Sequence, residues 1–98
     1  MDWTHPKAGY WGAEQPISVG IIVAKVVSRR YLKEHGHYEP ADDPQGYRAR
    51  VELTFPDPQF AGGPGDVISG GPFDTVDQAK AEAERWAVGI ERKYTRVR

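Results

Sequence analysis

The chain contains no cysteine and a single methionine. Without thiols, a disulfide framework, a thiolate metal site and a cysteine nucleophile are all excluded. Long apolar runs are missing as well. The longest, Ile21–Ala24, stops at Lys25 and is far too short to span a bilayer. Asp2 and His5-Pro6 stand where a signal peptide would carry a basic region and then an apolar stretch. These absences together predict a cytoplasmic protein with no membrane association. Nor does either sign of charge dominate: 13 Lys and Arg against 14 Asp and Glu leave a net charge of −1. That balance excludes a basic nucleic-acid clamp and a strongly acidic DNA mimic.

What is present suits one domain. A chain of 98 residues with 39% hydrophobic residues buries roughly two-thirds of its extended surface, enough for a single core. The clearest pattern lies near the C-terminus. Val76, Ala79, Ala83, Trp86 and Ile90 recur at three- and four-residue intervals, which places them on one face of a helix. Thr75 followed by Gln78 reads as a capping box at its start. Asp74, Asp77, Glu82 and Glu84 precede Arg85, Arg92 and Lys93, the order that the helix macrodipole favours. So narrow a seam needs a sheet to lie on.

The preceding chain supplies strands. Tyr47, Ala49, Val51, Leu53 and Phe55 alternate with Arg48, Arg50, Glu52 and Thr54, predicting a strand with one buried and one wet face. Ile17–Leu32 reads as one long central strand, apolar on both sides in its middle. Val67-Ile68 reads as a short edge strand between glycine-rich stretches, and an edge there is able to pair with a second copy as a homodimer. Tyr94–Arg98 adds a fourth strand or frays. Residues 1–16 read as an irregular arm whose Trp3, Tyr10 and Trp11 dock either on the protein's own core or on a partner. The expected fold is therefore α+β: an antiparallel sheet of three or four strands with one amphipathic C-terminal helix on one face, β-β-β-α. The arm spans 1–16, the core 17–94 and a basic tail 95–98.

Candidate chemistry is sparse. His35 and His37, with Glu34, Glu39, Asp42 and Asp43, form the one cluster that resembles a metal site, but they fall in the polar connection Lys33–Gly46, which reads as a solvated, metal-free loop. The glycines of Gly62–Gly71 lack the Gly-Lys-Ser/Thr of a phosphate loop. Ser18, Ser28 and Ser69 sit in no nucleophile-elbow pattern. No cofactor and no enzymatic activity are expected. Arg48 and Arg50 instead share the wet face of a well-defined strand. If that strand pairs antiparallel with the one before it, Arg30 approaches Arg48 and a basic patch forms at one end of the sheet.

The stretch Phe55-Pro56-Asp57 after a strand, then a glycine-bearing turn, then Thr75-Val76-Asp77-Gln78-Ala79 with Ala83, resembles the β-β-β-α module of HicB-type antitoxins over residues 47–90. The resemblance implies a fold that binds a partner protein and performs no catalysis. Ala79-Lys80 and Ala83 are also similar to the last helix of double-stranded RNA-binding domains, although Asp74 and Asp77 occupy the start that such domains keep basic for phosphates. From size and the lack of catalytic groups, the expectation is an interaction module of the small-inhibitor kind that phages and mobile elements encode, anti-CRISPR proteins among them. Its partner-binding residues would be Arg30, Arg48 and Arg50 with Trp3, Tyr10 and Trp11. The alternative is a nucleic-acid-binding accessory domain that uses the basic sheet end and tail.

Overall fold

The computed structural model of the chain describes residues 1–36, 45–55 and 66–95. In chain order these form β1 (Thr4–Lys7), β2 (Tyr10–Ile17), β3 (Gly20–Ser28), α1 (Arg29–Glu34), β4 (Tyr47–Thr54), β5 (Val67–Phe73) and α2 (Val76–Thr95). The five strands pair in sequence order, each antiparallel to the next. The expected three- or four-stranded sheet with one helix is thus corrected to five strands and two helices among the described residues.

Each correction has a local cause. The arm is a hairpin. In β2, Trp11 and Ala13 point toward the core, while Gly12 and Pro16 thin out the opposite parity and hide the alternation. All of β1 is exposed, so it carries no period to read. The supposed long strand Ile17–Leu32 breaks twice. Ser18-Val19 makes a two-residue turn between Ile17 and Gly20, and Ser28 starts a helix by accepting a hydrogen bond from the Tyr31 backbone N–H at 2.9 Å. Gly9 closes the first hairpin at φ +78°. A Cβ there would lie 2.8 Å from the Ser28 hydroxyl, so the turn and the start of α1 fit against each other only without a side chain. At the other end, α2 continues through Thr95 instead of giving way to a strand at Tyr94, and residues 96–98 lie outside the described residues.

The expected phase of α2 is observed. Its capping box is intact: the Gln78 N–H donates to Thr75 Oγ1 at 3.1 Å, and the Gln78 side chain accepts from the Thr75 N–H at 3.2 Å. Ala79, Ala83, Ala87 and Ile90 are buried, and they face Ile22, Ala24 and Val26 of β3 with Ala49, Val51 and Leu53 of β4. Alanines along the seam let the helix axis approach the sheet closely. Trp86 is half-buried and lies across Gly70, where an added Cβ would come within 3.3 Å of its ring. Phe73 flanks it at 6.3 Å. The last turn is held by Asp66, which accepts hydrogen bonds from Lys93 at 2.9 Å and from the Tyr94 hydroxyl at 3.1 Å.

Candidate functional site

Among the described residues, helix α2 covers one face of the sheet, and only the short helix α1 lies at an end of the other. Register assigns the open face directly, because residues paired across an antiparallel ladder share a side. Lys25 stands opposite Arg50, Val27 opposite Arg48, and Ser69 on the far side of Arg50. Tyr10 pairs with Val27 from β2. Short helix α1 folds over the end of this face and brings Tyr31 and Leu32 onto it. The result is a cavity of about 360 Å³ with an apolar floor and wall of Val27, Tyr10, Tyr31 and Leu32, bordered by Lys25, Arg48, Arg50 and Ser69.

Cations crowd along this ladder. Like charges directly opposite one another in a ladder are destabilising, and Lys25 faces Arg50 with Arg48 two residues away on the same side. Glu52 answers Arg50 in part, at 3.6 Å. Lys7 adds a fourth cation at the rim, its ammonium 5.5 Å above the Tyr10 ring and 5.4 Å from that of Tyr31. A hydrogen bond with the Tyr31 hydroxyl holds the Lys7 ammonium above its ordinary lysine range. Tyr10 and Tyr31 tilt together at 5.7 Å, and His35 stacks on Tyr31 at 3.9 Å. Toward β1 the open face changes sign: a shallow hollow of about 630 Å³ that shares Tyr10 and Lys25 with the cavity is lined by Asp2, Thr4 and Glu14.

Of the residues singled out from sequence, Arg48, Arg50 and Tyr10 are brought together. Arg30 is not. The end of β3 does lie beside the start of β4, but α1 turns Arg30 toward a separate hollow with Trp11, Tyr47 and Asp74. The two tryptophans are taken up by the fold. Trp3 Nε1 donates to Glu84 of α2 at 2.7 Å, with Lys80 over its ring. Trp11 packs edge-on to Tyr47 at 5.8 Å and stacks with His5 at 4.4 Å. Both rest against the protein's own core, so the arm docks internally.

Sequence reasoning missed Lys25, Val27, Tyr31, Leu32 and Ser69. Lys25 read as an interruption in an apolar run, although its parity with Val23 and Val27 already set it on one face. Tyr31 and Leu32 were legible only through Ser28 as a helix cap. Of the histidine cluster, His37, Glu39, Asp42 and Asp43 lie outside the described residues, as does much of the Lys33–Gly46 connection expected to be a loop; its first residues belong to α1. Of the glycine loop Gly62–Gly71, residues 62–65 lie outside them too, and Gly70 and Gly71 belong to β5. Among the described residues, no group of three His, Asp or Glu side chains gathers as a metal site would require, and no helix is long and apolar enough to cross a membrane. No family model matches the chain, nor does any curated protein or solved structure.

Proposed function

We propose that this chain is a non-enzymatic interaction module that binds a partner protein in the cytoplasm through the open face of its sheet. The observation that carries the reading is the cross-strand pair Lys25–Arg50 with Arg48 beside it, set around an apolar cavity. Such clustering weakens the ladder, and a bound acidic surface would relieve it. Arginine and tyrosine are the residues that most often anchor protein interfaces, and strands held on both sides present them with little left to order on binding. Occupying a partner's surface, with no chemistry of its own, is how a small inhibitor of the anti-CRISPR or antitoxin kind would act.

The test is a charge reversal. Arg48 and Arg50 are exposed on β4, so Arg48→Glu with Arg50→Glu leaves the core untouched. The parent chain, tagged and cross-linked in lysate with and without nuclease, captures in both a protein that the folded double variant does not. Equal capture by both chains, or capture that disappears with nuclease, refutes the reading.

A further inference from the structure

We infer that the cavity between α1 and strands β3 and β4 seats one aromatic side chain of an acidic segment of the partner, with the flanking carboxylates of that segment on Lys25, Arg48 and Arg50. The inference rests on the protein-binding reading above and names what the partner presents.

Size sets the first constraint. About 360 Å³ is near the lower limit of ligand pockets, room for one ring and too little for a large cofactor. The lining sets the second. Val27 and Leu32 offer aliphatic contact, and Tyr10 and Tyr31 offer aromatic contact, which suits a planar apolar group. The border sets the third. Side chains two apart on a strand stand about 7 Å apart, so Arg48 and Arg50 are spaced to meet two carboxylates next to a seated residue in a segment that bends over the cavity. In an extended segment neighbouring side chains would point to opposite faces. Guanidinium and carboxylate pair with directional, two-pronged hydrogen bonds.

A nucleic acid fits the same face poorly. Its phosphates would run on from the basic half into Asp2 and Glu14, where the sign is wrong. Base stacking needs open ring faces, yet His35 already stacks on Tyr31 and Lys7 stands over Tyr10. The change of sign across the face also orients the segment, with its acidic end over β4 and any basic residues toward β1 and β2.

The probes are four: the peptide acetyl-Gly-Asp-Phe-Glu-Gly-amide, its neutral Asn/Gln counterpart, its Phe-to-Ser counterpart, and oligothymidylate. Each is titrated to millimolar concentration into the full chain while amide shifts are recorded. The acidic phenylalanine peptide should move the amides of Val27, Leu32 and Ser69, and the two altered peptides should bind at least about 30-fold more weakly, the loss that accompanies removal of one interface anchor. Two variants destroy the shape of the cavity while keeping its charges. Ser69→Trp fills it from an exposed position on the edge strand, and Leu32→Ala opens its wall on a helix with no buried residue. Either should abolish the response. No shift at any of the three amides, an equal response to the serine peptide, or tighter binding of oligothymidylate at these amides overturns the inference. Partner capture separates it from the reading beneath it. If Ser69→Trp keeps the partner while the Arg48→Glu, Arg50→Glu variant loses it, protein binding stands and the seated ring is refuted. If neither variant loses the partner, both are refuted.

Discussion

Replacing Ala83 by leucine measures how closely α2 lies on the sheet. Ala83 has 0% exposure in the middle of the seam, between Ala79 at 0% and Ala87 at 1%. The same core cluster holds Ile22, Val26, Val51 and Leu53, all at 1% or less. An isobutyl group therefore meets atoms in place of space. It must leave its preferred rotamer or lift the helix, and lifting the helix also loosens Trp86 from Gly70. Overpacking of this kind costs about 1–3 kcal/mol. The absence of any exposed route for the side chain puts Ala83→Leu in the upper half of that range. In a domain of this size, about 2 kcal/mol lowers Tm by roughly 8–16 °C. Ala81 is the internal control: it is exposed on the same helix, so Ala81→Leu should stay within about 0.5 kcal/mol of the parent. Urea unfolding followed by far-ultraviolet circular dichroism, with unchanged m, reports both variants. An Ala83→Leu protein as stable as the parent, or an Ala81→Leu protein equally weakened, would refute the packing described for α2.

Two further outcomes follow from the ends of that helix. Thr75→Ala removes the oxygen that accepts from the Gln78 N–H and should cost about 1 kcal/mol in the same unfolding experiment, whereas Thr75→Ser should cost almost nothing. The Lys93 ammonium, helped by the Tyr94 hydroxyl, holds the Asp66 carboxyl below its ordinary range, so its contribution is fully present above the unfolded value of about 3.9 and is lost as pH falls through the folded value. Thermal melts of Asp66→Asn should lack that acid-side decline. Asp66 in turn raises Lys93, so the partner's share is present below about pH 10.4 and is lost as pH rises through the folded value; the same variant should flatten that alkaline limb.

Elements that bury one face announce themselves, and those that bury none or both do not. β4 could be read residue by residue because Ala49, Val51 and Leu53 are buried between exposed Arg48, Arg50 and Thr54. The same holds for α2, whose stripe and capping box are local facts about spacing. In β1 nothing is buried, and in β2 the alternation passes through Gly12 and Pro16, so strand pairing alone gives them their form. The run Ile17–Leu32 concealed a turn because Val19, at its tip, is as apolar as the strands on either side. The site was half legible. That Arg48 and Arg50 share an open face follows from period two, but that Lys25 lies opposite Arg50 is a matter of register, which depends on a turn and a ladder elsewhere. Arg30 was misplaced for the same reason: its position relative to Arg48 hangs on Ser28 turning the chain into α1.

The serial order of the strands has a consequence for synthesis. Each strand pairs with the one made just before it, so the sheet is able to assemble by local steps as the chain leaves the ribosome. Its inner surface, with Ile22, Val26, Val51 and Leu53, has no cover until α2 follows β5. In that interval the nascent chain is an apolar slab with two unpaired edges, β1 and β5, the kind of intermediate on which chaperones act. The crowded cations of the opposite surface bear on that interval. Two half-made sheets can meet through their greasy sides, but Lys25, Arg48 and Arg50 repel any attempt to stack them further.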